Sequence, residues 1–194
     1  MENLRVIRAP VAGLKTCSYV ELPAQLTLPS FLVPCSLYLP PRPLHPRGVP
    51  RIVLDFDPEQ PDAPAFQTET SELVFFLSWA FSQRYGANHE MSQAAMVLKG
   101  EYKIDLVPLL TFADRDVEDP SDEDVLERSW QDAAPLAECC QQITGALRGD
   151  DRRLNDLTEE YPNLAGNVEE LGRIAAWTAE RGARIRITYE LEGD

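Results

Sequence analysis

Residues 70–85 carry the densest apolar run of the chain. Leu73, Val74, Phe76, Leu77, Trp79, Ala80 and Phe81 follow Thr70, Ser71 and Glu72, and the run stops before Gly86. Capping hydroxyls and a first-turn acid in front, with glycine behind, predict a helix over 70–85. Its apolar residues cover most of the circumference of the first turns, so this central helix is expected to be buried on more than one side, lying across a sheet. A second helical pattern, over 163–181, lines up Leu164, Val168, Leu171, Ala175 and Thr178 and meets its stop at Gly182. Pro135 is placed to start another, which reaches Leu147 and ends at Gly149.

Strict alternation marks residues 184–191. Ile185, Ile187, Tyr189 and Leu191 point one way, and Arg184, Arg186, Thr188 and Glu190 the other. That period of two predicts a half-buried closing strand. Residues 51–56 form a short, strongly apolar strand candidate. Residues 93–99 and 102–112 flank Gly100-Glu101, a two-residue connection with glycine first, which predicts a β-hairpin. Near the start of the chain, short β-rich runs at 5–8, 16–21, 26–28 and 31–39 are limited by Pro23, Pro29 and Pro34 to edge or extended segments. Five prolines then stiffen 40–50 into an extended crossing, or a proline-rich ligand for an aromatic groove. The element order predicts one α+β domain over 1–194: a mostly antiparallel sheet, a central buried helix, and two or three further helices packed on one face.

Composition narrows the function classes. The chain has 194 residues and a formal net charge of −14, with 18 Lys and Arg against 32 Asp and Glu. Its field repels phosphate, and the basic residues cluster only as pairs such as Arg152/Arg153 and Arg184/Arg186, so no direct contact with nucleic acid or an anionic membrane is expected. The N-terminal residues carry an acid and lack the apolar stretch of a secretory signal. The longest nearly apolar run, 73–81, falls far short of the roughly 20 residues a membrane span needs, and a cytoplasmic protein is expected. Cys17, Cys35, Cys139 and Cys140 form no C-x-x-C pair, and the adjacent two cannot readily bond each other; buried free thiols are the expectation.

Three constellations carry candidate chemistry. Between Asp114 and Glu127 stand eight carboxylates and one arginine. Asp114, Asp116, Glu118, Asp119, Asp122, Glu123 and Asp124 make an acidic surface suited to a protein partner with a basic face, because concentrated charge steers encounter without demanding exact geometry. Ser121 is placed to cap a helix there, with acids at 122, 123 and 124 complementing its dipole. A calcium loop is the alternative, but Asp119 stands at the EF-hand turn position that wants glycine, and Val125 where a bidentate Glu belongs.

Asp55 and Asp57 close the strand over 51–56 as D-x-D. The pair resembles haloacid-dehalogenase-like phosphatases, with Thr111 and Gly149-Asp150-Asp151 as further parts. The resemblance implies Asp55 as nucleophile, Asp57 as acid/base, Thr111 on a phosphate oxygen, and Asp150 or Asp151 on magnesium. The sequence departs from that family at Pro58-Glu59, where a small residue and then Thr or Val are wanted. Arg84 and His89 show R-x4-H spacing that resembles the HEPN ribonucleases, which implies two cationic groups converging on one scissile phosphate; Gly86 and Asn88 intervene as a helix stop. No glycine-rich phosphate loop, metal-spaced Cys/His cluster or G-x-S-x-G elbow occurs. The expectation is therefore a non-catalytic interaction module without cofactor or metal, and a hydrolase at Asp55/Asp57 or Arg84/His89 is the alternative.

Overall fold

The computed structural model describes residues 49–86, 88–117 and 119–192. Side chains of Arg84, Leu191 and Glu192 lie outside that description, as do Glu118, Cys17, Cys35, His45, the four early strand candidates and most of the proline-rich stretch. All elements belong to the unit Pro43–Asp194. They run β1 (Val49–Asp57), α1 (Ser71–Ser82, extended by a 3-10 turn Gln83–Tyr85), α2 (Glu90–Gly100), β2 (Phe112–Asp114), α3 (Pro120–Arg128), β3 (Gln131–Asp132), α4 (Ala133–Leu147), α5 (Arg152–Thr158), α6 (Leu164–Glu180) and β4 (Arg184–Glu192). The described residues thus form a mixed α/β fold of six α-helices and a four-stranded mixed sheet.

The closing strand holds the sheet together. β1 pairs antiparallel with β4 along its whole length, with Leu54 opposite Ile187 and Asp55 opposite Arg186. On the other edge of β4, β2 pairs parallel from Phe112 opposite Ile187, and β3 pairs antiparallel from Gln131 opposite Ile185. Alternation along β4 places Ile185 and Ile187 in the apolar core, fully buried. The opposite face is not open water either, because Thr188 is also fully buried there.

Helix α1 contributes Leu73, Val74, Phe76, Leu77 and Ala80 to the core. The α6 stripe Leu164, Val168, Leu171, Ala175 and Thr178 is buried as its spacing predicts, and Gly182 leaves the helix with φ of 64°. α4 and α6 pack so closely that a Cβ at Gly172 would stand 2.9 Å from the Cys140 Cβ. The polar end of α1 is tied to α6 as well. Glu170 accepts from the Gln67 N–H at 2.9 Å, and Asn167 donates to the Glu69 carbonyl at 3.0 Å.

Three expectations need correction. The hairpin is absent: residues 90–100 are helix α2, and 102–111 is a turn-rich connection ending in the short β2. Met91, Ala94, Ala95 and Leu98, all buried, recur at helical spacing, and that period outweighs the glycine turn signal. Asp119, not Ser121, caps α3, with Pro120 in the first helical turn. Finally, α3 does not join the helices packed over the core, since its Leu126 carbonyl lies 3.4 Å from Arg186 Nη1, on the other face of the sheet.

Candidate functional site

The acidic segment begins where β2 ends. Asp114 accepts from the Tyr189 hydroxyl at 2.9 Å and from the Asp116 N–H at 3.0 Å. Burial and this carboxylate push the Tyr189 phenol up to about 12. Asp119 then builds a capping box: its side chain accepts from the Ser121 and Asp122 N–H groups, while Asp122 accepts from the Asp119 N–H. The Ser121 hydroxyl, followed by these backbone donors, holds the Asp119 carboxyl below its ordinary range. Asp122 and Glu123 sit at the positive end of the helix dipole. No residue of α3 is buried. Asp124 has only a 3.9 Å approach to Arg128, both heavily exposed, and Val117 and Val125 stand about half exposed among the acids. Of the predicted partner residues, Asp114, Asp116, Asp119, Glu123 and Asp124 are exposed and Asp122 is half-buried, and Glu118 is outside the described residues.

The D-x-D pair lies on the sheet face that looks away from the core. Asp55 Oδ1 accepts from Arg115 Nη2 at 2.9 Å, and Asp55 Oδ2 accepts from Arg186 Nη2 at 2.9 Å and Nε at 3.1 Å. Arg115 also reaches the buried Thr188 hydroxyl at 3.2 Å. Trp130 lies flat under Arg186, with the guanidinium carbon 4.4 Å from the ring centre. One row along the strands, Asp57 pairs with Arg184, and beyond Val53 and Thr188 the row Arg51–Glu190 repeats the pattern at 2.8 Å. These are cross-strand charge pairs that fasten β1 to β4.

Both Asp55 oxygens are engaged by guanidinium groups, so the carboxylate works here as an acceptor strut between three strands. Thr111 flanks the far edge of β4 and donates to the Val107 carbonyl at 2.8 Å. Asp151 caps α5 through the Arg153 and Leu154 N–H groups and accepts from the Tyr102 hydroxyl at 3.0 Å. Its carboxyl is lowered by those same bonds, the Leu154 N–H foremost. Asp55 and Asp57 are brought together; Thr111 and Asp151 are each spent on local hydrogen bonds elsewhere.

His89 is a helix cap. Its Nδ1 accepts from the Met91 N–H at 3.1 Å, and the His89 N–H donates to Ser92 Oγ at 2.9 Å. The ring stacks on Trp79 with centres 4.2 Å apart and meets the edge of Phe75 at 5.3 Å. Gly86, at φ of 82°, separates this cap from the turn that carries Arg84. Cys139 and Cys140 are buried free thiols, the first pushed up to about 11 by burial and the second raised further for the same reason. Among the described residues, no group of three His, Cys, Asp or Glu side chains is placed to hold a metal ion, and no helix is long and apolar enough to cross a membrane.

Sequence reasoning missed one feature. Along the outer edge of β1 runs a groove of about 980 Å³, floored by Ile52, Leu54 and Phe56 and faced by Ala63, Pro64 and Phe66 of the loop that leads back to α1. Thr70 closes one end by accepting the Ile52 N–H at 2.8 Å. The alternation of apolar and charged residues over 51–57 was the available signal, since it gives β1 two different faces. Its edge becomes visible only once β4 has been placed. Compared with known proteins, the chain matches no protein family, no curated protein and no solved structure.

Proposed function

We propose that the protein is a non-catalytic binding module whose acidic segment, 114–127, engages a basic surface of a protein partner. One observation carries the reading: α3 has its own caps and dipole and buries none of its residues, so Glu123, Asp124 and Glu127 stand at the surface with the exposed Val125, beside Val117 just before the helix. Their mixture suits a basic face with apolar spots, for which charge sets the encounter and the valines add contact area. Net charge favours the same class of partner over nucleic acid.

The test uses a labelled lysine- and arginine-rich peptide and fluorescence anisotropy on the full chain. Neutralising Asp116, Glu123, Asp124 and Glu127 to their amides is expected to weaken binding by roughly tenfold at low salt, with the difference vanishing at high salt. Equal binding by both proteins would remove the acidic segment as the docking surface. Magnesium-dependent hydrolysis of a phosphomonoester, abolished by Asp55→Asn, would replace the reading with a catalytic one, and metal-free RNA cleavage lost in His89→Ala would do the same.

A further inference from the structure

We infer that the outer edge of β1 is a second binding site, which takes an extended segment of another protein as an added strand, with apolar side chains alternating with lysine or arginine. This inference stands apart from the acidic segment and uses different residues.

The main chain supplies the first argument. Ile52 turns its N–H away from β4 and gives it to Thr70 Oγ1, while the Val53 carbonyl accepts from Thr188 Oγ1 at 3.0 Å on the β4 side. Strand groups alternate in direction with period two, so the N–H and C=O of Leu54 and Phe56 point to the outer edge. Among the described residues nothing pairs with them, because β1 bonds only to β4. An unpaired strand edge is a template for another strand.

Shape and charge supply the rest. The loop after β1 does not lie against that edge but stands off it, pinned at Thr70 and Gln67, which leaves the groove of about 980 Å³. From Ile52 to Phe56 the floor has the span of about five or six extended residues. A strand laid there would continue the apolar row Ile52, Leu54, Phe56 with every second side chain. Its other side chains would emerge on the charged face. The groove is lined by two exposed carboxylates, Glu59 and Glu69, without a cationic partner among the described residues. Of the other charged residues lining it, Arg51 pairs with Glu190 and Arg186 with Asp55, which also takes Arg115, and the groove lining as a whole carries one net negative charge. The uncompensated charge is therefore negative, which selects basic residues for the alternate positions.

The test uses a labelled peptide of alternating valine and lysine with the full chain. Saturable binding is expected, read by anisotropy, and a valine–glutamate peptide should bind at least about tenfold more weakly. Two further peptides separate edge pairing from mere charge. N-methylation of all valine nitrogens and of all lysine nitrogens must differ, because only one set faces the β1 edge; loss of binding with one set and retention with the other supports the site, and equal effects overturn it. That difference should survive neutralisation of Asp116, Glu123, Asp124 and Glu127, and Glu59→Lys with Glu69→Lys should reverse the preference between the basic and acidic peptides. Amide exchange by NMR gives the final check. Leu54 and Phe56 amides should exchange quickly in the free full chain and slow when peptide is added, whereas protection already present in the free chain, or no change on addition, overturns the inference.

Discussion

Helices α3 and α4 are separated by only Ser129 to Asp132, yet they are held in opposite ways. α4 buries eight side chains, among them Leu136, Cys140 and Ile143, and its place is fixed by α6 packed against it. α3 buries none, and beside the Arg186 contact to its Leu126 carbonyl it has mainly its own ends: Asp119 and Asp122 in a capping box, acids in the first turn, and Arg128 in the last. A helix fixed by packing has committed its buried face, because every removed contact there costs stability, and only its outer face can meet a partner. A helix fixed by caps and dipole can leave its faces free. The comparison explains why the charge of this chain gathers on α3 and the preceding strand end instead of being spread over the core helices.

The strongest way to break that contrast is to open the α4 side. Leu136 is fully buried, and Leu136→Ala should cost about 2–5 kcal/mol, through lost transfer energy and the cavity left behind. Chemical denaturation would read this as a lower midpoint with an unchanged slope. If the loss were only a few tenths, the α4–α6 layer would not be the rigid half of the molecule. Gly172→Ala tests the same layer from the other direction. The new methyl would meet the Cys140 Cβ at 2.9 Å, and neither carbon can swing aside. Overpacking of about 1–3 kcal/mol is expected, against a helix-propensity gain of about 1 kcal/mol. The expected result is net destabilisation, read as a lower denaturation midpoint.

The same distinction decides what was legible in the sequence. α1, α6 and β4 were readable because each carries a complete local period with its own stop, such as Gly86 or Gly182. In α2 two local signals competed. Gly100-Glu101 has the form of a hairpin turn, but Met91, Ala94, Ala95 and Leu98 form a helical stripe and Val97 is the only β-branched residue, so burial against α1 and α5 prevailed. α5 is hard to see because its cap, Asp151, stands next to Asp150 in a pair whose spacing equally suits metal ligands. At the acidic segment, composition located a run of exposed carboxylates, while the cap is Asp119 rather than the expected Ser121. The Asp55–Arg186 pair and the β1 groove had no such local signature. They arise from the register of β1 and β4, whose paired side chains are 131 residues apart, and no period within either strand specifies it.

The subtlest effect belongs to α3, and it sharpens the comparison most directly. Asp119 is fully exposed, yet hydrogen bonds from the Ser121 hydroxyl, then from the Ser121 and Asp122 backbones, hold its carboxyl below the ordinary Asp value. The sign follows from linkage: the folded helix binds the ionised form better, so the cap's contribution is fully present above the unfolded value of about 3.9 and is lost as pH falls through the lowered folded value. Cα chemical shifts of 120–128 should therefore stay helical at neutral pH and drift toward coil as pH falls below about 4, while those of α4 stay constant. Two more acids stand in the first turn of the same helix, so wild type alone does not isolate the cap. Asp119→Asn does. Asparagine caps as well as aspartate and does not titrate, so its α3 should fray less in acid than the wild-type helix, whereas Asp119→Ala should fray at every pH without moving the global unfolding midpoint. An α3 that keeps its shifts in the Ala variant would be held by packing after all, and the contrast with α4 would fall.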